Sequence, residues 1–261
     1  MRPLLKKYIF WTYVLFFVFI ILIGFTMLLL KNQFISELLI VLSAWTSTIV
    51  FLCLFQKWYP HCNRKDFIKS LFQQKINMML IIWIILLQCT LFIITIATIK
   101  MIWNVPIFEL IETSWTTLLI MFGYNLILGP LGEELGWRGF LFNELRKDFN
   151  LVKSAIIVGV AWGFWHAPLW LIASDLTGVQ LLQYIIYFLI SIISVSIIIS
   201  VFYSLNHNLL IPILIHQLFN YFMAIQTGYI LHILPITSFF YLLLAVLLII
   251  IHHKKCFDKR T

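Results

Sequence analysis

Gly129-Pro130-Leu131-Gly132-Glu133-Glu134-Leu135-Gly136-Trp137-Arg138-Gly139-Phe140 decides how this 261-residue chain is read. The stretch places two adjacent carboxylates and an arginine at the end of an apolar run of membrane-spanning length. A charged side chain at bilayer depth costs about 2.5–3.5 kcal/mol on insertion scales, so a Glu pair held there marks a functional site. On a helix Glu134 and Arg138 lie four residues apart and can pair. Glu133 is then about 100° round the helix and free to face something else.

The same stretch carries its own helix break. Pro130 lacks an N–H and crowds the carbonyl of Leu126, while Gly129 and Gly132 let the backbone leave regular helix. Such breaks persist in membranes only where protein or water satisfies the freed groups, which predicts a small hydrated cavity at Glu133.

Working outward, a composition of 62% hydrophobic, 17% aromatic and 11% charged residues describes a polytopic membrane protein rather than a soluble domain. The expected class is all-α, one transmembrane domain over residues 1–261. Apolar stretches near 8–30, 38–55, 77–99, 113–131, 152–173, 180–204, 208–225 and 233–251 each approach the ~20 residues a helix needs to cross the hydrocarbon. Eight spans predict both termini on one side. Of the 18 basic residues, all but Lys31 and Lys100 fall on that side. Because Lys and Arg accumulate in cytoplasmic loops, the termini and the Glu133 region are expected to face the cytoplasm of a multi-pass cell-membrane protein. The net charge of +8 sits in blocks between apolar runs, which suits a lipid surface and gives no groove for nucleic acid.

Two connections are amphipathic. Phe67, Ile68, Leu71 and Phe72 oppose Lys69, Gln73 and Lys75; Leu141, Leu145 and Phe149 oppose Glu144, Lys147 and Asp148. Both patterns predict helices lying in the membrane interface. The N-terminal apolar run is too long for a signal-peptide core and reads as a first span. Cys53, Cys62, Cys89 and Cys256 show no metal-ligand or CxxC spacing, so they are expected to be reduced or buried.

Two further apolar runs carry polar groups that could line the cavity. Trp162 and His166 stand on one face four residues apart, with Pro168 just beyond. His216 and Asn220 repeat that spacing after Pro212. A lone intramembrane histidine serves interhelical hydrogen bonding as readily as chemistry, so the specificity lies in the combination. His207, His232, His252 and His253 sit in turns or at span ends, where solvated or interfacial roles are expected.

Glu133-Glu134-Leu135-Gly136-Trp137-Arg138-Gly139-Phe140-Leu141 resembles the EExxxR motif of the CPBP family, the CaaX prenyl endopeptidase and bacteriocin-processing (Abi-type) intramembrane proteases. The family's FxxxH motif is similar to Trp162–His166, with Trp in place of Phe, a conservative aromatic swap. Its HxxxN motif is similar to His216–Asn220. The resemblance covers residues 110–225, the expected catalytic core; the first three spans carry no recognised motif. It implies an eight-helix membrane enzyme with a cavity open to the cytoplasm and the membrane. By that resemblance Glu133 and His166 activate water, His216 and Asn220 stabilise the oxyanion, and Glu134, Arg138 and Trp162 support the site. The implied substrate is a membrane-associated protein or peptide.

The chemistry is coherent on its own terms, since peptide hydrolysis needs a base for water and donors aimed at the developing oxyanion. Two rival readings use the same residues: a non-catalytic membrane scaffold or bacteriocin self-immunity protein, and a transporter. A transporter should show paired breaks in two related halves, and the sequence has none. Glu133, His166 and His216 could also supply the His2Glu ligand set of a catalytic zinc. No HExxH pair is present, so no cofactor is expected and Glu133 is expected to act on water directly.

Overall fold

The computed structural model describes residues 2–172 and 175–258. Regular structure among them is helical, as the apolar runs predict; an isolated bridge joins Ile111 to Gln226. Short polar residues start several helices. The side chains of Asn32, Asn63, Asn77, Ser114 and Asn150 each accept a backbone N–H two or three residues on, at 2.8 to 3.4 Å. Such caps satisfy donors that a helix start otherwise leaves open.

The first helix, α1 (Pro3–Phe25), continues through π-helical turns at Thr26–Leu30 and ends at Lys31 in the left-handed region, φ 48°. It is followed by α2 (Gln33–Ala44), α3 (Thr46–Trp58), α4 (Arg64–Ser70), α5 (Met78–Trp103) and α6 (Trp115–Leu128). Then come α7 (Pro130–Glu134), π-helical turns over Leu135–Phe142 and α8 (Asn143–Leu145). The remainder is α9 (Leu151–Trp165), α10 (Ala167–Ile172), α11 (Gly178–Leu205), α12 (Leu210–Ala224) and α13 (Ile230–Asp258).

All eight apolar stretches are helical, yet they do not give eight membrane-length helices. Among the described residues six helices are long and apolar enough to cross a bilayer, and a seventh crossing results if the α2–α3 pair, bent by 60°, counts as one span. The bend falls at Trp45, just before the polar run Thr46-Ser47-Thr48, which is buried against other helices. The remaining stretch, α12, has only 15 residues, short of the ~20 needed to span alone. It has no need to span unaided, because Ile211, Ile215, His216, Gln217 and Phe219 are buried inside the bundle.

α11 is the central post. It packs along α9 and α13, and the segment Ser191–Tyr203 is almost continuously buried. In lipid, helix association rests on close packing rather than on water exclusion, so small residues matter. At Gly159 an added Cβ would stand 3.0 Å from the Ile193 backbone and the Ser196 side chain. That close approach fixes the height of α9, and with it the position of Trp162 and His166.

The second amphipathic segment departs from the interfacial reading, while the first stays at the surface with Phe72 38% exposed. Leu141 and Leu145 are fully buried and Leu71 nearly so. Phe67 stacks into an aromatic cluster with Phe51, Phe55 and Tyr59, beside Phe140 and Trp58. The reason is proximity: the helix after the carboxylates stays inside the bundle, and its apolar stripe meets protein before it can meet lipid. Cys53 and Cys62 are exposed free thiols and Cys89 is half-buried, so these cysteines are reduced but not buried. The side chains of Lys255 and Cys256, and the whole of Lys259 and Arg260, lie outside what is described.

Candidate functional site

The site begins where α6 stops. Gly129 takes φ −131° and ψ −100°, Pro130 occupies the first turn of α7, and the Gly129 carbonyl accepts the N–H groups of Gly132 and Glu133 at 3.0 Å. Pro at the start of a helix loses no intrahelical bond, so the break and the restart share one proline. The carbonyls on the α6 side find side-chain donors: Trp45 Nε1 donates to Ile127 O at 2.9 Å and Gln217 Nε2 to Phe122 O at 2.8 Å. Protein from α2–α3 and α12 therefore stabilises the interruption.

Beyond it the two carboxylates part. Glu134 is fully buried, and its Oε1 accepts both Arg138 Nη1 at 2.7 Å and His216 Nδ1 at 2.7 Å. An ionised carboxylate only accepts, so the His216 proton sits on Nδ1 and Nε2 carries a lone pair. Asn220 Nδ2 donates to that Nε2 at 3.1 Å. The i, i+4 pairings expected for Glu134 with Arg138 and for His216 with Asn220 are thus both present. Gly129 lies against this end, where an added Cβ would fall 2.7 Å from Asn220 Nδ2 and 3.4 Å from His216 Nε2.

Glu133 faces the other way, 3% exposed, with Oε2 accepting Trp162 Nε1 at 2.5 Å. His166 closes α9; its Nδ1 lies 2.8 Å from the Trp162 carbonyl, which fixes the proton on Nδ1 and leaves Nε2 as an acceptor. The Trp162 ring is the wall between the two halves. Its centroid is 6.0 Å from that of His166 and 4.7 Å from that of His216, and the Arg138 guanidinium lies 4.5 Å from it. The tryptophan in the second motif is accordingly more than an aromatic swap, because phenylalanine has no N–H to offer Glu133.

Glu133, Glu134, Arg138, Trp162, His166, His216 and Asn220 therefore meet from three separate helical segments. Sequence reasoning missed the first two spans' share. Ser47 Oγ donates to the Glu133 carbonyl at 3.2 Å, Tyr8 OH donates to the Ser47 carbonyl at 3.2 Å, and Trp45 holds Ile127. The signal was the polar run Thr46-Ser47-Thr48 inside an apolar stretch. Among the described residues, no three His, Cys, Asp or Glu side chains are grouped to hold a metal ion.

Residues 114–222 match the family described as type II CAAX prenyl endopeptidase Rce1-like, and all three motifs lie inside that span. Over 169 residues the chain is 30% identical to the protein named CAAX prenyl protease 2 of Methanococcus maripaludis. That match covers 60% of this chain and 60% of the relative, so the chain spans about that share of the curated relative's length.

Proposed function

Since residues 114–222 carry the pattern of the Rce1-like CAAX prenyl endopeptidase family, we propose that this chain is an intramembrane endopeptidase. The observation that carries the reading is the different pairing of the two buried carboxylates: Glu134 pairs with Arg138, while Glu133 accepts the neutral indole N–H of Trp162, whose carbonyl in turn holds His166. Residues 110–225 form the catalytic core of a single transmembrane domain in this reading.

Glu133 takes a proton from water as its oxygen adds to the scissile carbonyl carbon, and His166 Nε2 accepts the water's second hydrogen bond. The carbonyl oxygen becomes an oxyanion. Asn220 meets it with its second amide hydrogen, the first being held by His216 Nε2; His216 itself joins as a donor only when Nε2 is also protonated. Collapse of the tetrahedral intermediate breaks the C–N bond, and the proton on Glu133 passes to the leaving amine. Glu134 and Arg138 hold His216 in place. In this reading Glu133 acts on water directly, without a metal; Glu133, His166 and His216 remain the set that a zinc would use in the alternative mechanism.

The substrate is a membrane-associated protein or peptide in the surrounding bilayer, and a prenylated CAAX terminus is the class that the relative's name suggests. In this reading the catalytic end and both termini face the cytoplasmic side of the cell membrane, which the one-sided basic blocks support. The test is membrane peptidomics of cells carrying wild type, Glu133→Gln or His166→Ala, with a wild-type arm treated with phenanthroline and resupplied with zinc. Product peptides should vanish in both variants at unchanged protein level and persist through chelation. Full biological activity of Glu133→Gln would favour the scaffold or immunity reading, and zinc-restored loss would make Glu133, His166 and His216 ligands.

A further inference from the structure

Trp162 is 1% exposed, and its ring packs against groups that any aromatic residue could meet, Arg138 at 4.5 Å and His216 at 4.7 Å. What only tryptophan adds is the N–H on Glu133 Oε2 at 2.5 Å. A carboxylate turns about its last bond in a broad, roughly two-fold well, so without a partner its two oxygens interchange. One fixed donor removes that symmetry.

We propose that Trp162 is a positioning residue that pins Oε2 of Glu133 and so makes Oε1 the oxygen that receives the proton of water. This rests on the reading of Glu133 as the base. The indole suits the task for three reasons. It donates and never accepts, so it cannot take the proton itself. It is neutral, so it holds the carboxylate without neutralising it as Arg138 does Glu134. Its ring is buried against Arg138 and His216, and the Trp162 carbonyl also orients His166 through Nδ1 at 2.8 Å. One residue therefore sets both groups that face the water, its side chain holding Glu133 and its backbone holding His166. Reacting groups displaced by even about 1 Å can lose a hundredfold in rate, so this double hold is worth measuring.

The experiment uses membranes containing the full chain. Peptides whose release depends on Glu133 are defined by comparing wild type with Glu133→Gln, and their initial release rate is measured for two changes at position 162. One is Trp162→Phe; the other replaces the indole by benzothiophene, an isostere that keeps the ring and substitutes sulfur for the N–H. Loss of one hydrogen bond to a charged group predicts a release rate lower by roughly tenfold to a hundredfold in both, at unchanged protein level and melting temperature. In parallel, the Trp162 indole proton resonance should lie downfield in wild type and move in Glu133→Gln. A wild-type rate with the benzothiophene side chain overturns the inference, even if Trp162→Phe is slow, since packing alone would then explain the loss. Should Trp162→Phe fail to fold, the isostere decides alone. Absence of any Glu133-dependent peptide instead removes the reading of Glu133 as base, and the inference with it.

Discussion

Glu134 has two cationic or polarised partners on a single oxygen, Arg138 and His216, whereas Glu133, one residue earlier and just as deeply buried, has the neutral indole N–H of Trp162 on Oε2 and a second neutral indole, Trp137, beside it. The backbone between them is helical throughout; the difference comes from the helices that each side meets, α12 for Glu134 and α9 for Glu133. Neighbouring identical residues are thereby assigned different work. A buried carboxylate in an ion pair with a guanidinium serves the structure, whereas one held by neutral indole donors keeps an oxygen available for chemistry.

The sharpest way to break this comparison is to remove the guanidinium. Arg138→Ala leaves Glu134 buried without its cation, and losing one partner of a buried pair costs about 3–5 kcal/mol. Thermal unfolding in detergent should show that loss, while Glu133→Gln, which keeps shape and an amide for Trp162, should stay within about 1 kcal/mol of wild type. Equal losses in the two variants would dissolve the distinction.

A smaller effect sharpens the His216 end. Gly129→Ala drives a Cβ to within 2.7 Å of Asn220 Nδ2, and Gly123→Ala, six residues earlier, meets nothing within 4 Å. Overpacking at the first should cost about 1–3 kcal/mol, read as a lower melting temperature. The second should be neutral or gain up to about 1 kcal/mol, since alanine is the better helix former.

The smallest effect concerns the same ion-pair chemistry at the rim of the bundle. Arg2 donates to Glu144 Oε2 and Asp148 Oδ2, both at 2.9 Å, but its side chain is 40% exposed against 0% for Arg138. Arg2→Ala should therefore cost less than about 1 kcal/mol in the same unfolding assay, and less still at high salt. A loss matching that of Arg138→Ala would mean that burial is not what separates the two sites.

Much of the site was legible because its clues are local. Glu134 with Arg138, and His216 with Asn220, follow from helical spacing, and Pro130 announces the break one residue ahead of it. The shares of Tyr8, Trp45 and Ser47 were not, because a polar residue in the first two spans says nothing about which distant helix it will meet. The second amphipathic stripe misled for a related reason: periodicity gives the apolar face of Leu141 and Leu145 but not whether lipid or protein covers it.

By itself, then, the sequence determined the helical class, the apolar runs and the order of the three motifs, since hydropathy and the 3.6-residue period act within single segments. Only the tertiary structure decided how those segments are used. It bent α2 against α3 at Trp45, kept α12 short inside the bundle, and widened Leu135–Phe142 into π-helical turns that shift which faces look inward. It also put the Trp162 N–H on Glu133 and the His216 Nδ1 on Glu134. The physical reason is that a buried donor must find an acceptor wherever packing brings one, and packing joins residues 29 and 82 positions apart that no local period connects.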